Sequence, residues 1–234
     1  MKIGKKQKEV RKVLEVEKKY TMDQALELVK KTSTTKFDST VDVAVRLGVD
    51  AKQSDQQVRG SVVLPHGSGK SKKVLAIVKG DKENEARDAG ADHIWADDFV
   101  EKITGGWMDF EAVVATPDMM AVVARIGKVL GPRGLMPNPK LGTVTFDIKK
   151  AITEIKAGKA EFRTEKAGIV HTSIGKVSFD AVKLKDNLMA LLETVRRLKP
   201  NTSKGVYYKS ITLTTTMGPG VKIDLTDLPK ALVA

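Results

Sequence analysis

Residues 65–78 read Pro-His-Gly-Ser-Gly-Lys-Ser-Lys-Lys-Val-Leu-Ala-Ile-Val, and the rhythm of the chain changes inside them. Upstream, Val41, Val43, Val45 and Leu47 alternate with Asp42, Ala44 and Arg46, the period of a strand with one buried face. Residues 58–64 predict a second strand. Downstream, Val74, Leu75, Ala76, Ile77 and Val78 are apolar without a break, as suits a strand covered on both faces of a parallel sheet. Between them Pro65, Gly67 and Gly69 interrupt any regular pattern, so residues 65–73 are expected to be a flexible, basic linker.

Working outward, the spacing of Val10, Val13 and Leu14 predicts a helix over about residues 4–19. A second helix follows Thr21, which forms a capping-box pattern with Gln24. Beyond residue 78 short apolar strands alternate with helices. A charged helix ends at Gly90, and strands are expected at 93–95 and 112–115. Helices are expected over 97–103, from Pro117 to about Ile126, and around Ile148, Ile152 and Ile155 up to Gly158. That alternation predicts a compact α/β unit with a largely parallel sheet. From residue 160 the strands lengthen again, with a hairpin of 160–165 and 168–174 around Lys166-Ala167. Ser178 is expected to cap a long helix carrying Leu184, Leu188, Leu191, Val195 and Leu198 on one face and closed by Pro200. A β-branched strand over 207–216 then runs into the sharp turn Met217-Gly-Pro-Gly220. Neither flank has enough strands for a stable sheet of its own. The expected architecture is therefore a discontinuous α+β domain from residues 1–68 and 159–234, with an α/β domain, residues 69–158, inserted.

The 234-residue chain carries a net charge of +12, and it is unevenly placed. Residues 71–158 hold 13 Lys/Arg against 13 Asp/Glu, whereas residues 1–70 hold 15 against 9 and residues 159–234 hold 13 against 7. Two basic ends around a neutral middle suit a surface that faces a polyanion. There is no cysteine, which excludes disulfides and thiolate metal sites, and His66, His93 and His171 are too scattered to suggest a metal centre. No apolar run reaches the roughly 18 residues of a membrane span, and the basic N-terminus lacks the apolar stretch of a secretory signal, so a cytoplasmic protein is expected.

Gly67-Ser-Gly-Lys-Ser71 resembles half of a phosphate loop, but Leu64 stands where the first glycine is needed and a strand follows instead of a helix. The first strand of the α/β unit runs into Lys79-Gly-Asp-Lys-Glu-Asn without a dinucleotide glycine fingerprint. No triad or carboxylate pair emerges, so neither enzyme chemistry nor a cofactor is expected. Two windows lack acid altogether. Between Asp118 and Asp147 only Arg125, Lys128, Arg133 and Lys140 are charged, and residues 127–142 contain four glycines and three prolines. This predicts a fixed, non-regular loop whose amides, with Arg133 and Lys140, suit either a phosphate backbone or a structural lid. The second window, 194–223, combines Arg196, Arg197, Lys199, Lys204, Lys209 and Lys222 with the hydroxyl-rich strand Ser210-Ile-Thr-Leu-Thr-Thr-Thr. Hydroxyls that both donate and accept suit ribose and base edges.

The stretches Thr35-Lys-Phe-Asp-Ser-Thr-Val41, Val129-Leu-Gly-Pro-Arg-Gly-Leu-Met-Pro-Asn-Pro-Lys140, Phe162-Arg-Thr-Glu-Lys-Ala-Gly-Ile-Val-His171 and Thr214-Thr-Thr-Met-Gly-Pro219 resemble signatures of one family. It is the "L-one" family of large-subunit ribosomal proteins, bacterial type, which sits on the mobile rRNA stalk at the tRNA exit site. The resemblance implies a split first domain that binds rRNA and an inserted three-layer, Rossmann-like α/β domain. It implies an rRNA contact face comprising Lys36, Phe37, Thr40, Ser210, Thr216, Met217 and Gly218, with Glu165 and Lys166 on the same face. Arg133, Lys140 and Lys204 are expected as secondary RNA contacts. The implied partners are the rRNA stalk, exit-site tRNA and the protein's own messenger, which it represses; the protein is a monomer within the ribosome and has no membrane partner. In this reading Phe37 and Met217 exclude water, Thr216 and Ser210 bond RNA groups in the dry patch, and the lysines add salt-sensitive affinity.

Overall fold

The computed structural model describes residues 10, 14–15, 18–80, 82–95 and 99–229. The chain folds as two compact units: the segments up to Gly69 and from Ala160 form one, and Lys70–Lys159 the other. The helix expected over residues 4–19 lies mostly outside the described residues. Lys19, its expected last residue, belongs to a strand instead.

In the first unit five strands form one sheet in the order β1 (Lys19–Tyr20), β10 (Val221–Ile223), β9 (Tyr208–Thr215), β2 (Thr40–Leu47) and β8 (Ile169–Lys176). Two of these strands precede residue 69 and three follow residue 160, so the two ends of the chain complete one sheet. β2 lies between β9 and the edge strand β8, antiparallel to both. Its alternation places Val41, Val43, Val45 and Leu47 in the core, beside Ile211 and Leu213 of β9. Two helices, α1 (Met22–Lys31) and α7 (Ala181–Arg197), supply Ala25, Leu26, Val29, Leu184, Leu188, Leu191, Leu192 and Val195 to that core. The capping box of Thr21 and Gln24 starts α1 as the sequence predicts.

Four local expectations are corrected. The strands β7 (Lys159–Arg163) and β8 do not form an extended hairpin: they meet only at the Thr164–Val170 bridge, then part, β7 pairing with β3 (Arg59–Val63) and β8 with β2. Ser178 does not cap α7. Asp180 holds the cap position, while the Ser178 hydroxyl donates to Asp38 Oδ2 at 2.8 Å, because a long-range carboxylate is within reach. Leu198 lies beyond α7 and is exposed, since the helix ends at Arg197. Residues 66 and 67 are not free linker. The fully buried Asn187 accepts from His66 N at 3.0 Å and donates to Gly67 O at 3.0 Å and Ile174 O at 2.7 Å.

The second unit has a parallel three-stranded sheet in the order β5 (His93–Trp95), β4 (Val74–Ile77), β6 (Ala112–Ala115). Apolar side chains on alternate positions of β4 fill two separate cores. Leu75 and Ile77 join Phe99, Ile103, Val123 and Leu130, whereas Val74, Ala76 and Val78 join Ala86, Ile148, Ile152 and Ile155. Helices α2 (Lys82–Asp88) and α6 (Ile148–Lys156) thus cover one face, and α3 (Phe99–Thr104), α4 (Met120–Arg125) and α5 (Gly127–Leu130) the other. The first turn of the Gly/Pro-rich segment is therefore helical, not irregular, because Leu130 is buried among those side chains. The rest is a fixed loop: Asn138 N donates to Thr143 Oγ1, and Asn138 Oδ1 accepts from Lys140 N, both at 2.8 Å.

Candidate nucleic-acid interface

The side chains of β2 and β9 that point away from the helices make a polar face. Thr40, Asp42, Ala44 and Arg46 alternate with the buried valines, and Ser210, Thr212 and Thr214 lie beside them. On the neighbouring strands Asp42 opposes Ser173, Ala44 opposes His171, and Thr212 opposes Lys222. A row of hydroxyls flanked by cations can meet riboses and phosphates without covering apolar surface.

At one end of this face, β2 begins where β9 finishes. Thr216 N donates to Thr40 O at 3.1 Å, and Thr40 N donates to Thr216 Oγ1, also at 3.1 Å. The Thr216 hydroxyl donates in turn to Thr40 O at 3.4 Å. Thr216 is thus already the clasp between the two strands, and one lone pair of its oxygen is left for a ligand. Two large apolar side chains flank this clasp in sequence: Phe37 is 59% exposed and Met217 is 67% exposed. Leaving both in water opposes the hydrophobic effect, so a partner that covered them would gain by excluding water.

The loop that carries Lys36 and Phe37 is tied down on several sides. Thr35 Oγ1 donates to Phe37 O at 3.0 Å, and Ser33 Oγ lies 3.1 Å from Ser39 Oγ. Asp38 accepts from Ser178 N at 3.1 Å as well as from its hydroxyl, and Lys176 Nζ donates to Asp38 O at 3.2 Å. Sequence reading passed over Asp38 and Lys176 and took Ser178 for a helix cap. They lie about 140 positions apart, and no local pattern pairs a loop carboxylate with a hydroxyl that distant. Across the clasp, Gly218 N donates to Thr215 O at 2.9 Å, and Thr214 Oγ1 reaches both Thr215 O and Gly218 O, at 3.0 and 3.2 Å. Lys36, Phe37, Thr40, Thr216, Met217 and Gly218 are therefore gathered at one end.

Ser210, Glu165, Lys166 and Lys204 are gathered at the other. Ser210 pairs with Arg46 near the far end of β2, and seven residue steps from Thr40 to Leu47 span about 24 Å. The turn bearing Lys166 is closed by Glu165 N to Ile169 O and Gly168 N to Glu165 O, both 2.9 Å, and it docks through Leu47 N to Gly168 O at 2.9 Å. Glu165 Oε2 lies 3.9 Å from His171 Nε2. The loop bearing Lys204 is held by Ser203 Oγ donating to Gly48 O at 3.0 Å and Gly48 N donating to Tyr207 O at 2.7 Å. Beside it Val206 is 69% exposed, an apolar group that the sequence reading did not single out. A partner that touched every expected residue of this unit would lie along the whole face, on the scale of one side of an RNA stem.

Arg133 and Lys140 belong to the second unit, where both are exposed. The neutral charge of the middle segment conceals a division. Residues 81–118 contain 11 acids against 3 bases, and residues 119–158 contain 7 bases against 2 acids. The acids accompany strand β5 and its flanking helices, whereas the bases accompany the Gly/Pro loop and α6. A polyanion would meet that loop and avoid the β5 edge. Among the described residues no cluster of three or more His, Asp or Glu could hold a metal ion, and no helix is long and apolar enough to cross a membrane.

A family model described as "Ribosomal protein L1p/L10e family" matches residues 29–219. That span contains both ends of the polar sheet face, the Gly/Pro loop and every residue expected to touch RNA.

Proposed function

The chain belongs to the Ribosomal protein L1p/L10e family, and from that premise we propose that its first unit anchors the protein to the mobile rRNA stalk through the clasp of Thr40 and Thr216. As a member it is a structural protein of the large ribosomal subunit in the cytoplasm, binds rRNA and is not an enzyme. The finer assignment concerns how it binds. The two chain ends form a discontinuous RNA-binding domain, into which the α/β domain of residues 69–158 is inserted. Lys36, Phe37, Thr40, Thr216, Met217 and Gly218 form the dry centre of the contact. Ser210, Glu165, Lys166 and Lys204 meet the RNA further along the face. Arg133 and Lys140 make secondary contacts from the inserted domain. Anchored in this way, the protein moves with the stalk as deacylated tRNA leaves the exit site. It represses its own messenger by binding a stalk-like structure there.

The observation that carries this reading is the pairing of two exposed apolar side chains, Phe37 and Met217, with the hydrogen-bonded clasp between them. A purely electrostatic surface has no use for two exposed apolar side chains beside the clasp. Its test is binding of the purified protein to the isolated stalk rRNA across a salt series, against a random duplex of equal length. Stalk-selective binding that survives about 0.3 M salt is expected, because charge-only affinity falls steeply with salt. Equal, salt-labile binding to both RNAs would mean a general duplex binder. Thermal stabilisation by ATP, GTP or NAD would instead favour a nucleotide-dependent switch.

A further inference from the structure

We propose that Thr215 is a positioning residue for RNA binding: its buried hydroxyl fills the space that a side chain at position 218 would need, and this holds the turn that presents Met217. The consequence for RNA rests on the functional reading above. Thr215 is 2% exposed, and its Oγ1 is buried without any hydrogen-bond partner. A threonine kept for hydrogen bonding would not leave its hydroxyl unpaired in the interior, where that costs free energy. The oxygen does have a close neighbour. A Cβ built on Gly218 would overlap Thr215 Oγ1 and would also approach Thr215 Cβ at 3.4 Å and Thr215 N at 3.5 Å.

The glycine is not there for its φ, because Gly218 does not adopt a left-handed backbone. It is there because the chain folds back against residue 215, which draws Gly218 N to Thr215 O. Valine at 215 would replace the oxygen with a bulkier methyl, and overpacking is costly in a close contact. Thr215 and Gly218 are thus complementary, and Met217 is displayed as a result. Thr214 reinforces the fold-back by donating to Thr215 O and Gly218 O.

The test is a double-mutant cycle in the full chain, read by Kd for the stalk rRNA and by hydrogen exchange of the amide at position 218. Gly218→Ala alone forces the turn open, so affinity falls roughly 10- to 100-fold, as overpacking predicts, and the amide exchanges faster. Thr215→Ala alone empties the space under the turn and loosens it, so affinity falls roughly 3- to 10-fold and the amide at position 218 exchanges faster. Thr215→Ala with Gly218→Ala regains amide protection and most of the affinity, because the vacated space accepts the new methyl. A double variant as weak and as fast-exchanging as Gly218→Ala would overturn the proposal: glycine would then be needed by the RNA itself. Unchanged amide protection in Gly218→Ala would also overturn it. Failure of the wild-type protein to prefer stalk RNA would instead sink the functional reading, and the exchange data would still decide whether Thr215 sets the turn.

Discussion

Thr216→Val replaces a hydroxyl with a methyl of nearly equal volume, so its effect reports on hydrogen bonding rather than on packing. In the free protein it removes the acceptor of the 3.1 Å bond from Thr40 N. Water can reach this exposed position, so the fold should lose only about 0.5–1 kcal/mol. In the proposed complex, Phe37, Met217 and the RNA exclude that water. Thr40 N–H is then buried unpaired, and the remaining lone pair of Oγ1 is lost to the ligand. Each costs about 1–3 kcal/mol, together roughly 2–6 kcal/mol, which is at least about a 30-fold rise in Kd. Lys204→Ala removes one exposed cation, which should weaken binding only several-fold and reduce the salt slope by about one. Filter binding to the stalk rRNA at several salt concentrations separates the two: Thr216→Val shifts the line without changing its slope, and Lys204→Ala tilts it. Thr216→Ser keeps the hydroxyl and should bind within a few-fold of wild type. Equal losses for Thr216→Val and Lys204→Ala, or a serine variant as weak as the valine one, would refute the dry-clasp argument.

Asn187→Leu should lower the stability of the first unit by about 3 kcal/mol or more, because it strands His66 N, Gly67 O and Ile174 O in or near the core; urea midpoints would show it, and an unchanged midpoint would mean that residues 66–67 are held by something else. Tyr207 and Tyr208 donate to Val195 O and Leu192 O at 3.0 and 2.6 Å, and burial pushes both phenols well above their usual value of 10.0. The folded pKa lies above the unfolded one, so this stability is fully present below about pH 10 and is lost as pH rises through the folded value. Denaturation between about pH 8 and pH 12 should show that decline, and a Tyr207→Phe/Tyr208→Phe variant should flatten it. Deleting residues 70–158 with a short joining linker should leave most stalk affinity intact, since every strand of the five-stranded sheet comes from the chain ends. A folded deletion protein without specific binding would move the anchor to the inserted domain.

Residues 29–219, which match the family, contain almost all the patterns that could be read in advance. The alternation in 41–47 and the unbroken apolar run in 74–78 forecast a half-wet and a fully covered strand, because side-chain direction follows from backbone period alone. The imbalance of charge between ends and middle was equally legible, since charge depends on composition. The hairpin at Lys166 could not be foreseen to part: whether β8 pairs with β7 or with β2 depends on which strand waits in space. Ser178 was misread as a cap because a serine before a helix satisfies the local rule, yet Asp38 offers a stronger acceptor from 140 positions away. Thr216, foreseen only as a ligand group, is also a strand clasp. Thr215 stood inside a signature stretch, but nothing in the sequence marked its packing against Gly218. Ser210 lies in β9 and Thr216 just past its end, and six residue steps of about 3.4 Å separate them. Local periodicity, capping and net charge were determined by the sequence itself, for they act over a few bonds or by summation. The register in which the two chain ends pair and the gathering of Phe37, Thr40 and Met217 belong to the tertiary structure alone. They depend on groups meeting within hydrogen-bond or contact distance, which no local pattern encodes.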